Sequence, residues 1–315
     1  MDDWKGHIIR TEGRYKRRET PVGAPPGVFK RTLVDGPIEV TAMGFADSHT
    51  FHADPEEKLS SRDRLDRAVL VQSMEHWRDI RDAFLSKRLR TPLPEVIAGG
   101  GFGENILVSG CSADDLCVGD KLMVARRARE EGGVDGSDGD ESLLVLQITS
   151  PRRPCSRVDM QFGTTWDGSG VRAYCARTGR AGFMCRVLTP GVLPDGCDLA
   201  VVERSHPRWT LSRISSLVYG IEGACDKPQY ALPGFDDKTS SGVCGTGGGR
   251  EAVLSQWKAT EDDMRELAGI EELACYEWRD EVQAMLSAVD RPAGWDCLYT
   301  DWKSVISKFC NAGWT

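Results

Sequence analysis

The residue best placed to do chemistry lies in the stretch SPRRPCSRVD, where Cys155 stands between Pro154 and several arginines, among them Arg152 and Arg153. Positive charge beside a thiol favours the thiolate, the form that attacks electrophiles and ligates soft metals, and Pro151 and Pro154 stiffen the turn that presents it. A small structural cysteine is the other reading of the same position. Cys175 and Cys185, near the ends of predicted strands, lack such neighbours and read as core residues.

Other chemistries find little to stand on. The eleven cysteines are an odd number scattered over 315 residues, so a disulfide framework is not expected. There is no C-x-x-C, the nearest pair being Cys111 and Cys117, and the five histidines show no zinc-type spacing with them. The nucleophile elbow G-x-S-x-G and the phosphate loop G-x-x-x-x-G-K-[ST] are absent, and Gly99, Gly100, Gly101 and Gly103 complete no G-x-G-x-x-G. With 40 Lys and Arg against 48 Asp and Glu, the net charge of -8 disfavours nucleic acid. No apolar run approaches the roughly 20 residues of a spanning helix, and the amino terminus lacks the apolar segment of a signal peptide, so the expectation is a cytoplasmic protein with no membrane partner.

The elements that must position Cys155 read as short strands broken by Gly, Pro and Asp, the pattern of a barrel or sandwich. The clearest are Ile38 to Phe45, Arg67 to Val71, Lys121 to Val124, Leu143 to Thr149, Phe183 to Leu188 and Leu199 to Glu203. One helix interrupts them, since Met74, Trp77, Ile80 and Phe84 share a face. Residues 129–141, acidic and glycine-rich, predict a flexible hairpin loop. Arg10, Arg14, Lys16, Arg17 and Arg18, followed by Pro21, Pro25 and Pro26, predict an exposed basic arm over residues 1–26.

From about Trp209 the period changes. Leu211, Ile214, Leu217 and Val218 suit a short helix, and residues 220–250 read as a mobile linker. Thr260 with Asp263 resembles a capping box opening a helix through Leu267, and Trp278, Val282 and Leu286 give the next helix an apolar face. Trp295, Tyr299, Trp302 and Trp314 predict a tail packed on the body.

Six ordered segments carry a family resemblance: PGVFKRTLVDGPIEVTAMGF, DRAVLVQSMEHW, GFGENILVSGCSADDLCVGDKLMV, TSPRRPCSRVDMQFG, GRAGFMCRVLTPG and VVERSHPRWTLSR. In order and spacing they are similar to the YiiM-like branch of MOSC-domain proteins, over about residues 27–215. The weaker likeness after Thr260 resembles that branch's small three-helix extension. The resemblance implies a mainly β fold with α: an arm over residues 1–26, a MOSC-type β-barrel over 27–208, and a helical C-terminal region over 209–315. It further implies a molybdenum cofactor (molybdopterin), with Cys155 as the protein's ligand to the metal. It also implies reduction of N-hydroxylated small molecules such as hydroxylamino-purines and amidoximes, with electrons from a separate donor protein.

Several residues take implied roles. Gly103, Glu104 and Asn105 of GFGEN fit a tight turn whose carboxylate and amide could bond a pterin ring, or a turn those groups only brace. Lys30 and Arg31 match the family's FKR, Arg67 matches its D-[KR]-A segment, and with Arg152 and Arg153 they are candidate anion contacts. Where the family has G-D-x-Q-A-D and H-G-G-x-D, this chain has ADSHTFHAD around Asp47 and RDRLDRA from Arg62. Arg62 and Arg64 therefore stand where the pocket entrance is expected, with His49 and His52 as candidate proton donors. The chemistry expected is that of a molybdenum-cofactor-dependent reductase of N-hydroxylated or N-oxide compounds. Two alternatives stay open: a non-catalytic or sulfur-carrying MOSC module, or a molybdenum-independent enzyme of specialised metabolism with a remodelled pocket.

Overall fold

The computed structural model describes residues 7–17, 31–46, 61–84, 101–125, 144–155, 157–162, 170–219 and 260–289. In chain order the strands are β1 (Ile8–Arg17), β2 (Arg31–Leu33), β3 (Ile38–Thr41), β4 (Gly44–Phe45), β5 (Val69–Ser73), β6 (Ile106–Ser109), β7 (Lys121–Ala125), β8 (Val145–Pro151), β9 (Phe183–Thr189), β10 (Gly191–Leu193) and β11 (Asp198–Glu203). The helices are α1 (Ser61–Leu65), α2 (Met74–Ala83), α3 (Arg157–Phe162), α4 (Val171–Thr178), α5 (Leu211–Tyr219), α6 (Glu261–Gly269) and α7 (Asp280–Val289). A π-helical turn, Cys275–Arg279, leads into α7.

Seven strands run in the order β11-β7-β8-β9-β5-β6-β1, and β1 pairs back onto β11 at Ile9↔Leu199, closing a barrel. All these neighbours are antiparallel except β5 and β6, which lie parallel with α2 between them in sequence. A parallel pair needs such a crossover, because its strands leave in the same direction. β2 pairs with β1, and β10, β3 and β4 form a second small sheet.

Where a strand has one face in water, alternation survives: in β7, Leu122 and Val124 point inward between half-exposed neighbours. β5 is buried along its whole length, and β8 nearly so. Continuous burial follows when a strand is covered on both faces. Ile9, Ile38, Val71, Ile106, Leu122, Leu146 and Leu199 belong to the main apolar core.

Three expectations are corrected. The basic arm includes β1, so the barrel begins at Ile8 and not at residue 27. Ile9, Thr11, Gly13 and Tyr15 are buried in alternation, and Arg14 is 4% exposed, bonded to the carbonyls of Gly36 and Val34 and to Asp195. The single strand expected from Ile38 to Phe45 is a hairpin, β3 turning at Ala42 and Met43 into β4. Gly44 has φ +99, and a Cβ there would stand 2.2 Å from the Ala68 carbonyl oxygen, so only glycine permits the approach. The third correction is of register: the strand expected over Arg67 to Val71 is Val69–Ser73.

The helices after β11 build a second core from Trp209, Ile214, Leu217, Met264, Leu267, Trp278, Val282 and Leu286. The capping box at Thr260 forms, with Oγ1 accepting from Asp263 N–H at 3.1 Å and the Asp263 carboxylate accepting from Thr260 N–H at 3.1 Å. The appendage is seated on the barrel directly, since Ala274 N–H donates to the Thr149 carbonyl of β8 at 3.0 Å. The loop over 129–141, the linker over 220–250 and the tail aromatics Trp295, Tyr299, Trp302 and Trp314 lie outside the described residues.

Candidate functional site

Cys155 sits where β8 ends. Arg152 N–H donates to the Gly182 carbonyl at 2.8 Å, extending the β8–β9 pairing past Pro151, and Pro154 is buried. The Cys155 carbonyl accepts from Val158 N–H at 3.0 Å, starting α3, whose Val158 and Phe162 anchor in a third apolar cluster with Trp77 and Phe102. The thiol is thus held between a strand end and an anchored helix, and it is half-exposed.

The other cysteines differ. Among the seven described, Cys155 and Cys275 are half-exposed and the remaining five are buried. Burial pushes the Cys175 and Cys185 thiols far up, and that of Cys117 up to about 11. Those thiols stay protonated at neutral pH and cannot act as thiolates. No three His, Cys, Asp or Glu side chains converge as a metal-binding group among the described residues.

The GFGEN segment lies beside this loop. The Arg152 guanidinium, on a residue only 5% exposed, stands 5.6 Å from the centroid of the Phe102 ring, a cation–π distance. Gly103 has φ +76, the left-handed backbone expected of a tight turn. Glu104 and Asn105 brace the turn and its neighbours. Glu104 Oε2 accepts from Phe102 N–H at 2.9 Å, and Asn105 clasps β5, its N–H donating to the Leu70 carbonyl at 2.8 Å and its Oδ1 accepting from Leu70 N–H at 3.0 Å. Asn105 Nδ2 is buried and has no hydrogen-bond partner among the described residues. Burial, with the Glu104 charge added, pushes the Tyr15 hydroxyl up to about 12, so it stays protonated at neutral pH.

The arginines meet carboxylates from the appendage. Arg67, 2% exposed, donates from Nη2 to Glu277 Oε2 at 2.9 Å. Arg153 Nη1 lies 3.8 Å from Glu277 Oε1 and 4.0 Å from Glu281 Oε1, so one carboxylate joins the two candidate anion contacts. Arg62 donates to the Glu271 carbonyl at 3.0 Å, placing it against the appendage, and Arg64 lies half-exposed on α1. Arg31 opens β2. Lys30, His49 and His52 lie outside the described residues. Beside Arg67, the buried Asp66 pairs with Arg186 at 2.9 Å, although burial outweighs the arginines and raises its pKa. Glu277, Tyr15 and Asp66 had not been singled out from the sequence. Asp66 could have been, standing next to Arg67, but nothing local marks Glu277.

A closed barrel with a cysteine at the end of one strand and a helical appendage docked beside it defines the class, and the sequence agrees: residues 46–200 match the MOSC domain. The chain carries a MOSC domain over those residues and is similar to YiiM proteins. It is 22% identical over 184 residues to protein YiiM of Escherichia coli, covering 58% of this chain and 67% of that one. A protein named reductase, from Gibberella moniliformis, is 27% identical over 207 residues, 65% of this chain, and the match spans only 31% of that longer protein. The crystal structure of YiiM from Geobacillus stearothermophilus superposes with a TM-score of 0.52 at 18% identity, covering 88% of this chain and 99% of that one, a likeness of fold. The domain type is like the C-terminal domain of molybdenum-cofactor sulfurases. No described helix is long and apolar enough to cross a membrane.

Proposed function

We propose that the protein is a cytoplasmic, molybdenum-cofactor-dependent reductase of N-hydroxylated or N-oxide compounds, supplied with electrons by a separate donor protein. The observation that carries this reading is the half-exposed Cys155 thiol, fixed between β8 and α3 with Arg152 and Arg153 before it, in a MOSC domain. The residues fit such a cofactor: a thiolate suits a soft metal, guanidinium groups suit an anionic pterin phosphate, and the buried Asn105 Nδ2 is a donor with no acceptor among the described residues.

What the cofactor supplies when bound is a two-electron redox centre for taking oxygen from nitrogen. The chain does the rest. Cys155 provides the protein's ligand, and the closure of its carbonyl on Val158 fixes the turn. Arg152, three residues before Cys155, is packed over Phe102, and its charge acts on the buried Cys175 thiol. Tyr15, its hydroxyl titrating near 12, stays a neutral donor beside the Glu104 carboxylate.

Metal analysis of the purified chain should find molybdenum near one per chain. Cys155→Ser replaces a soft ligand with a harder oxygen of much higher pKa, and should lower turnover of an N-hydroxylated substrate by more than about a hundredfold. Full activity of Cys155→Ser with unchanged metal content would remove the ligand assignment. A persulfide on Cys155 without molybdenum would move the reading to a sulfur-carrying module.

A further inference from the structure

Cys155 leads into a helix that is too short to hold itself. α3 has six residues, and an isolated helix of that length is not stable in water, so the turn that presents the thiol takes its geometry from whatever α3 is fastened to. Val158 and Phe162 fasten it by apolar contact in the third cluster. A second attachment is polar. Asp159, four residues after Cys155 and 2% exposed, accepts from Arg172 N–H and from Arg172 Nε, each at 3.1 Å, besides its other interactions.

Arg172 belongs to the first turn of α4, whose N-cap is Gly170. Glycine has no side chain to cap with, so the first amides of α4 need an acceptor from elsewhere, and Asp159 brings one across from α3. The other end of α4 is firm. Gly179 closes it in the left-handed region, where a Cβ would stand 3.2 Å from Ala113 and Ser215, and Arg180 donates to Asp79 at 2.7 Å and to Asp114 at 2.8 Å. α4 is therefore a fixed support, and Asp159 pins α3 to it. Both flanks of the thiol are referred to this support: the Cys175 thiol of α4, pushed far up chiefly by burial, also feels Arg152 from before Cys155 and Asp159 from after it, with opposite sign.

We propose that Asp159 is a positioning residue for Cys155: by capping α4 from α3 it fixes where α3 starts, and so where the thiol stands at the end of β8. A carboxylate suits the task, because its two oxygens take the backbone N–H and the guanidinium at once. The carboxylate touches no ligand in this role and acts through the backbone of α3. This deepens the functional reading above and rests on Cys155 being the working thiol.

The test compares two thiols of one full-length chain. Cys155 and Cys275 are both half-exposed, and Cys275 stands in the appendage, so its alkylation by iodoacetamide, read by peptide mass spectrometry, is an internal reference. Asp159→Ala should raise the rate at Cys155 relative to Cys275 about three- to tenfold, the size expected for a lost cap, and should quicken hydrogen exchange in α3 but not in residues 280–289. Asp159→Asn keeps an acceptor for Arg172 N–H and loses the ion pair, so it should shift the ratio the same way by less. It also keeps the test available if Asp159→Ala does not fold. A ratio at or below the wild-type value in the folded variants overturns the proposal, including the case in which both cysteines speed up equally because the whole chain has loosened. Molybdenum content of the same preparations reads the functional proposal separately. A metal-free chain whose ratio shifts keeps the positioning role and loses the cofactor, and a molybdenum-loaded chain with an unshifted ratio does the reverse.

Discussion

The interior of the barrel and the seam between barrel and appendage are both buried, yet they are made of opposite materials. Ile9, Val71, Ile106, Leu146 and Leu199 carry no charge, and each gains about 1.5–3 kcal/mol by leaving water whatever its exact partner. The seam instead holds Asp66 with Arg186, Arg67 with Glu277, and Asp120 with Arg204, where each charge is met by an opposite one. Removing one member of such a pair strands a charge, whereas trimming a barrel residue only leaves a cavity. The barrel therefore provides a frame that tolerates change, and the seam is where single charges matter.

If that contrast holds, lesions on the barrel side should unfold the molecule as a whole, and lesions in the appendage should loosen only its helices. The largest effect is expected at His76 on α2, fully buried, whose ring bonds Gln72 through Nδ1 at 2.8 Å and accepts from Ala113 N–H at 2.9 Å. Burial depresses its pKa from 6.5 to about 3. Below pH 6.5 the unfolded chain takes up a proton that the native chain refuses, so this stability is complete above 6.5 and declines as pH falls toward 3. The total over that window is roughly 5 kcal/mol. His76→Gln, which keeps a donor and an acceptor, should flatten the acid limb of the urea midpoint measured at pH 7, 5.5 and 4. An identical slope in the variant would place the acid sensitivity elsewhere.

Asp120→Ala comes next. Asp120 is fully buried and accepts from Arg204 Nε at 2.9 Å and Nη2 at 2.7 Å, and from Cys117 N–H at 2.9 Å. Its loss should cost about 3–5 kcal/mol in denaturant unfolding, and a cost under 1 kcal/mol would mean that the seam relaxes like an apolar core.

Trp209→Phe tests the appendage. Trp209 donates from Nε1 to Glu266 at 2.8 Å and lies under the Arg213 guanidinium at 4.5 Å. The variant should lose about 1–3 kcal/mol, with faster hydrogen exchange over residues 261–289 and none in the barrel strands. Exchange rising equally in both regions would show them to be one cooperative unit. The smallest effect belongs to Thr260→Ala, which removes the cap of α6 and should cost about 1 kcal/mol, read from the same exchange over 261–269.

What was legible in the sequence was local. Short runs broken by Gly, Pro and Asp marked β7, β8, β9 and β11, the three-and-four spacing marked α2, and Thr260 with Asp263 announced its cap, because each signal arises within a few residues of itself. Cys155 stood out for the same reason, its prolines and arginines being chain neighbours, and the left-handed turn at Gly103 needed only its glycine. Tertiary structure decided what depends on distant partners. β1 was hidden because its inward residues, Ile9, Thr11, Gly13 and Tyr15, alternate with charged ones and only one of them is strongly aliphatic, so its membership of the ring follows from pairing with β6 and β11. The ion pair of the seam lay further out of reach. Arg67 and Glu277 are 210 residues apart, and no periodicity links them. They meet because burial of Trp278 and the bond from Ala274 to β8 seat the π-helical turn on the barrel end, and an ion pair forms only where such docking brings its two charges within reach.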